Sequence, residues 1–287
     1  MSDWQGVVRR LSEHGIELTG TGVGRGEVSA AWRAESSAGP VFLKTCPIAD
    51  RDRLAAEAEG LGELASAGSI RVPRVLAMVE SESTACLALE WLALEQPDRS
   101  VEARFGADLA ALHRHTADRF GWHRDNTIGL SPQINTPHDD WMHFWRVRRL
   151  ACQLELAARR GYGGELEEAG ERLIGNLDHL LADHAPAASL LHGDLWGGNW
   201  AAVGGRPVIF DPAVYYGDRE TDLAMTRLFG GFGPAFYRAY DEAWPLPAGY
   251  EQRLGLYQLY HVLNHLNLFG TGYLGRALQI MRALNRL

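Results

Sequence analysis

Apolar positions change period several times along the first ninety residues. Trp4, Val7, Val8 and Leu11 recur at helical spacing, so residues 4–13 read as a short amphipathic helix. Three short alternating segments follow, 16–23, 27–34 and 41–46, punctuated by glycine in the manner of half-buried strands. Asp50 then stands at the N-cap position of a segment reaching about Ala67, with few glycines inside. Segments 75–79 and 85–92 return to strand character on either side of Ser81-Glu82-Ser83. Beyond Pro97 the period turns helical over 101–115, 141–160 and 166–183, and over most of the chain after Pro234. Residues 120–140 carry no period of their own and read as a long loop, of the kind that is functional or variable. The pattern predicts an α+β protein in two lobes. A small β-rich N-terminal lobe (1–92) precedes a larger, mostly helical C-terminal lobe (93–287).

With 46% hydrophobic and 22% charged residues in 287, the chain has enough apolar surface for a buried core. A net charge of −8 provides no basic excess to neutralise phosphates, which argues against nucleic acid or an anionic membrane as partner. The three cysteines, Cys46, Cys86 and Cys152, are too sparse for a disulfide framework or a CxxC metal site. With no secretory signal and no run of about 18 apolar residues, a cytoplasmic protein is expected, a monomer or weak homo-oligomer. Lys44 is the single lysine, and the other 27 basic residues are arginine. A site that needs a compact point charge would refuse the planar arginine fork, which makes Lys44 a functional candidate.

The most informative stretch is Leu190-Leu191-His192-Gly193-Asp194-Leu195-Trp196-Gly197-Gly198-Asn199-Trp200. An apolar lead-in delivers a polar cluster set among glycines. Next come two apolar runs, 200–203 and 206–210, flanking Gly204-Gly205, the signal of a tight hairpin. A two-stranded ribbon returns the chain to its start, so Asp211 is expected beside Asn199 and Asp194. Two carboxylates and an amide oxygen are hard ligands of the kind that Mg²⁺ takes alongside phosphate and water. Asp-x-x-x-x-Asn followed by a strand-end Asp is the arrangement of kinase-type phosphoryl transfer. There the first Asp is the base, here Asp194, and the metal falls to Asn199 and Asp211.

That chemistry also needs a lysine on a front-lobe strand, fixed by a helix glutamate. Lys44 ends the run Val41-Phe42-Leu43. In the following helix Glu57 falls within the apolar face of Leu54, Ala58, Leu61 and Leu64, where a carboxylate needs a partner. Lys44 is the expected one. Glu59 points the other way and reads as a solvated charge. Gly20 to Val28 has glycine at alternate positions, and Gly24 and Gly26 would lay backbone N–H groups over phosphates. Glu90, Trp91 and Leu92 end the last front strand, where the Glu90 carbonyl and Leu92 N–H would pair with adenine.

These residues resemble the fructosamine (ketosamine) kinases, which share the aminoglycoside-phosphotransferase-like form of the protein-kinase-like fold. The stretches that carry the resemblance are His192-Gly193-Asp194-Leu195-Trp196-x-Gly198-Asn199, Asp211-Pro212-Ala213-x-Tyr215-Tyr216-Gly217-x-Arg219-Glu220-x-Asp222 and Leu228-Phe229-Gly230-Gly231-Phe232. Asp125-Asn126-x-Ile128-Gly129 and Asn267-Leu268-Phe269-Gly270 add support. The resemblance spans nearly the whole chain. It implies ATP- and Mg²⁺-dependent phosphorylation of the 3-hydroxyl of a ketose joined to an amine, free or protein-bound, as a repair of glycation. Asp194 is then the base, Asn199 and Asp211 the metal ligands, and Trp196, His192 and Tyr215 the acceptor contacts. A kinase of the same fold for choline, homoserine or an aminoglycoside, or a non-catalytic nucleotide binder, is the alternative.

Other residues have plainer readings. His113 and His115 read as surface or helix-end residues. His261 and His265, four apart on a helix, fit hydrogen bonding or a place in the substrate cleft better than zinc. Arg219, Glu220 and Asp222 read as an ion-pair brace under the loop, and the tryptophans between 122 and 145 as core.

Overall fold

The computed structural model describes residues 3–19 and 30–287. Helix α1 (Trp4–Glu13) is capped by Asp3, whose carboxylate accepts from Gly6 N–H at 2.9 Å. Strands β1 (Ala30–Ser36) and β2 (Gly39–Pro47) form a hairpin. Helix α2 (Arg51–Ser66) follows, then β3 (Val75–Glu80) and β4 (Thr84–Glu90). The four strands make one antiparallel sheet of order β1-β2-β4-β3. Period-two alternation sorts its two faces. Val41, Leu43, Cys86 and Ala88 join Val7 and Leu11 of α1 on one side. Cys46, Leu87 and Leu89 join Leu54, Leu61 and Leu64 of α2 on the other. Lys44 alternates with Leu43, so its side chain belongs to the α2 face. Of the expected strand at 16–23, the described part contributes only a bridge between Leu18 and Ser36.

The chain then enters α3 (Arg99–His113), capped by Asp98 on the N–H groups of Ser100 and Val101. The short strand β5 (Thr116–Ala117) leads into residues 120–140, which are not structureless. They hold the small hairpin β6 (Asn126–Ile128) and β7 (Ser131–Gln133). Strands of three residues are too short to show a period, which is why the sequence reads as loop. The expected helix over 141–160 forms as α4 (Trp141–Phe144), a π-helical stretch over 145–151 and α5 (Cys152–Arg159). Helix α6 (Glu165–Leu180) follows.

Strand β8 (Ala188–Leu191), buried along its length, pairs with β5 and with β11 (Tyr215–Gly217). Between β8 and β11 lies the predicted hairpin, β9 (Trp200–Val203) and β10 (Arg206–Ile209), in register from Val203↔Arg206 to Trp200↔Ile209. Its turn needs left-handed backbone at both central residues; Gly204 and Gly205 supply φ of 57° and 69°. The remaining helices are α7 (Glu220–Leu228), α8 (Pro234–Ala243), α9 (Tyr250–Phe269) and α10 (Leu274–Leu284). Trp122, Trp141 and Trp145 are buried in the core, as expected. One apolar cluster runs from α2 into the C-terminal helices, so the sheet sits on the helical part through a shared core.

Candidate active site

The β9–β10 ribbon brings its two flanking loops together. Asp194 lies on the loop leaving β8, Asn199 just before β9 and Asp211 just after β10. Phe210 N–H donates to the Asn199 carbonyl at 3.1 Å, and Ala213 N–H to the His192 carbonyl at 2.8 Å. Asn199 Nδ2 donates to the Asp194 carbonyl at 2.8 Å and reaches its Oδ2 at 3.4 Å. Lys44 arrives from the sheet. Its Nζ lies 2.5 Å from Glu57 Oε1 and 2.6 Å from Asp211 Oδ1. All five side chains line one cavity of about 440 Å³.

Electrostatics follow from burial. Desolvation opposes the charge of Lys44, but Glu57 and Asp211 outweigh it and hold the ammonium pKa above its ordinary value. Burial first, then the charges of Asp222 and Asp211, push the Asp194 carboxyl up to about 7, against the Asn199 bond. A carboxylate at that level is matched to proton abstraction near neutral pH. Asp211 is the only non-glycine residue with left-handed backbone among the described residues, at φ 58°. Such backbone concentrates at functional sites, where the surroundings hold it in place.

The loop that carries Asp194 is propped by Asp222. Its Oδ2 accepts from His192 N–H at 2.8 Å and its Oδ1 from Gly193 N–H at 2.9 Å. Burial works against this carboxylate, yet the bond from His113, that histidine's charge, and the Gly193 N–H keep its pKa below the usual range. Gly193 permits the close approach. It has φ 82°, and a Cβ there would stand 2.0 Å from the Ala213 carbonyl.

Two expected acceptor contacts are corrected. His192 is fully buried. Its Nε2–H donates to the Phe210 carbonyl at 3.0 Å and its Nδ1 accepts from Asp194 N–H at 3.2 Å. Those two bonds fix a neutral tautomer, in keeping with a pKa lowered by burial. The ring braces the two loops and does not line the cavity. Tyr215 is also buried. Its ring lies 4.0 Å from the Arg149 guanidinium carbon, and its hydroxyl donates to Thr221 Oγ1 at 3.4 Å. Strand alternation turns it into the core. Trp196, by contrast, lines the cavity and is 41% exposed.

Further corrections concern charged and polar groups. His113 is buried, bonded to Tyr240 Oη at 2.8 Å and Asp222 Oδ2 at 3.3 Å. Glu59 is exposed but paired. Arg124 Nη1 lies 2.6 Å from its Oε1, and His123 Nε2 2.8 Å from its Oε2. Arg219, Glu220 and Asp222 do not pair with one another. Glu220 pairs with Arg253, Asp222 holds backbone, and Arg219 donates to the Trp244 and Pro245 carbonyls. His265 Nδ1 donates to the His261 carbonyl at 2.8 Å, the hydrogen-bonding role expected of it.

Sequence reasoning assigned no role to Arg53, Asn126, Thr127 or Gly129, which line the cavity. Asn126 stands in a motif noted above. Its Nδ2 donates to the Val214 carbonyl at 2.8 Å, tying the 120–140 segment to the loop after Asp211.

Next to the cavity, and sharing Asp211 with it, is an apolar cleft of about 380 Å³ lined by Phe42, Pro73, Leu92, Leu94 and Phe210, among others. Glu90 and Trp91 also line it. The Glu90 carboxylate is held by Arg71 at 2.8 Å, so a planar base here would be read through backbone groups. Gly24 and Gly26 lie outside the described residues.

The donor set suits a hard divalent cation. Asn199 spends its amide N–H on Asp194, which leaves its oxygen as acceptor, and half-exposed Asp211 offers a carboxylate in the same cavity. A second cluster, His184, Asp218 and Glu220, has the proximity of a metal site. Its atoms are taken by protein donors. Tyr257 Oη and His184 Nε2 bond Asp218 at 2.6 and 2.5 Å, and Arg253 bonds both Glu220 oxygens.

A sheet-borne lysine paired with a helix glutamate, facing an Asp/Asn/Asp set across a cleft, defines a kinase of the protein-kinase-like fold. The fructosamine kinase family model matches residues 4–286, and the chain belongs to that family. A probable ketoamine kinase of Synechocystis is 46% identical over 248 residues, covering 86% of this chain and 83% of that protein. A crystal structure of a candidate fructosamine-3-kinase from Thermobifida fusca aligns with a TM-score of 0.87 at 34% identity. It covers 98% of this chain and 99% of that one. The fold extends to the aminoglycoside phosphotransferase APH(4)-Ia, with a TM-score of 0.64 at 16% identity and 96% and 97% coverage.

Proposed function

We propose that this protein is an ATP-dependent ketosamine kinase that phosphorylates the 3-hydroxyl of a sugar joined to an amine. The observation that carries this reading is Lys44 bridging Glu57 and Asp211 in the cavity that holds Asp194 and Asn199. Family membership supports the substrate class.

In this reading the nucleotide base lies against Glu90, Trp91 and Leu92, and Lys44, fixed by Glu57, steadies the phosphates. Gly24 and Gly26 would cover them. Asn199 and Asp211 would hold Mg²⁺, which when bound offsets phosphate charge. Asp194 orients the sugar hydroxyl and takes its proton as the oxygen–phosphorus bond forms and the terminal phosphate bond of the nucleotide breaks. Trp196 offers a face to the sugar. Positioning and fixed charge supply most of the rate. The lobes divide after Leu92.

The three cysteines are free, two of them buried, and no helix is long and apolar enough to cross a membrane. The free thiols suit the proposed cytoplasmic site of action, and a monomer or weak homo-oligomer is part of the same reading.

The test is a panel of ribulosamines and fructosamines, free and on protein, assayed for nucleotide consumption and for phosphate on carbon 3 of the product. Consumption with none of them, at saturating Mg²⁺, would overturn the reading. Lys44→Arg is expected to lower kcat/KM about tenfold or more. The longer planar fork cannot occupy a point 2.5 Å and 2.6 Å from two carboxylates. Unchanged kinetics would mean that the ammonium takes no part.

A further inference from the structure

The two ends of the cleft are distinct. Asp211 lines both cavities. Glu90–Leu92 line only the apolar cleft, and Trp196, Asn126 and Gly129 line only the other cavity. A sugar with its hydroxyl at Asp194 therefore lies at the Trp196 end, and the amine it carries leaves past Trp196 and Gly129.

That exit is rimmed by apolar side chains in water. Seven large hydrophobic residues are exposed among the described residues, and four of them lie on the segments that border this end: Leu130 at 70%, Trp196 at 41%, Phe229 at 37% and Phe269 at 69%. Contacts join them to the cavity. A Cβ at Gly129 would stand 2.9 Å from Leu268 Cδ1, next to Phe269, and one at Gly231 2.6 Å from Gly197 Cα, next to Trp196. The His265 ring holds the centre, with its centroid 4.6 Å from that of Phe229, 5.3 Å from Phe269 and 5.1 Å from Tyr273. Burial lowers its pKa, so at neutral pH it adds no charge. Exposed apolar groups scattered singly mean little, but a concentration beside a cavity marks a binding surface.

We propose that this rim is the subsite for the amine-borne part of the acceptor. It favours ketosamines whose amine carries an aromatic or aliphatic group over those with a small polar one. The proposal rests on the ketosamine reading above. Aromatic side chains supply large contact areas with stacking preferences that a small polar substituent cannot use. The discrimination expected of such a pocket begins at about tenfold.

The experiment compares the ribulosamines of benzylamine and ethanolamine, which share the sugar and the secondary amine. The wild-type kcat/KM should favour the benzyl compound at least about tenfold. In Phe269→Ser, Leu130→Ser and the double variant that ratio should fall towards about threefold or less, with kcat/KM for the ethanolamine compound unchanged. Both residues are exposed, and a thermal melt confirms the fold of each variant. A wild-type ratio near one, or a ratio indifferent to both substitutions, overturns the rim. The same comparison is run with the fructosamines of the two amines, and phosphorylation of none of the four compounds overturns the ketosamine reading, and the rim with it.

Discussion

Asp194→Asn is expected to lower kcat by roughly 10²- to 10⁴-fold, the range that a positioned general base contributes. Nucleotide affinity should stay within about twofold. The asparagine amide keeps the shape of the side chain and can still meet Asn199, while Lys44, Glu57 and Asp211 remain on each other. It cannot take a proton. Because Asp194 sits between the negative charges of Asp222 and Asp211, the neutral side chain should leave the fold as stable as before or slightly more so. Single-turnover phosphate transfer beside nucleotide titration of the same preparation separates chemistry from binding. Wild-type turnover in this variant would remove Asp194 from the chemistry.

The second large effect is on stability. Glu220 and Arg253 pair deep in the C-terminal helices, with Arg253 Nη2 2.6 Å from Oε1 and Nε 2.8 Å from Oε2. Their side chains are 0% and 8% exposed. Removing one partner strands a buried charge, which costs about 3–5 kcal/mol. Glu220→Leu should therefore lower the melting temperature by roughly 10 °C. The double variant Glu220→Leu/Arg253→Met should recover much of the loss, since an apolar pair leaves no orphaned charge. A double variant as unstable as the single one would show that packing, not charge, sets the cost.

The parts of the site that were legible in sequence are those whose partners are fixed by local geometry. Gly204-Gly205 between two apolar runs specifies a hairpin, and a hairpin of that length returns Asp211 to Asn199. Helical spacing places Glu57 in the apolar stripe of α2, and a carboxylate there calls for a cation. With one lysine in the chain, on the strand before that helix, the pair was readable across 13 residues.

What failed were assignments by neighbourhood. His192 and Tyr215 lie near Asp194 and Asp211 in sequence, and both are expected from it to touch the acceptor. Backbone direction sends each inward, His192 to the Phe210 carbonyl and Tyr215 onto Arg149. His113 does end α3, but it is buried, and its partners, Tyr240 and Asp222, lie more than a hundred positions away in sequence. Asp222 read as a partner of Arg219 and Glu220, yet its bonds go to His113 and to the His192 and Gly193 N–H groups, which no residue pattern announces.

The sequence by itself determined the order of elements, the hairpin and the residue types of the site, because period, turn chemistry and the need to pair a buried charge act over short stretches of chain. Only the tertiary structure decided which polar groups face the cleft and which hold it up. It also decided that Leu130, Trp196, Phe229 and Phe269 stay exposed while Trp122, Trp141 and Trp145 are buried. Those outcomes depend on how distant segments meet, and burial, unlike periodicity, belongs to the whole molecule.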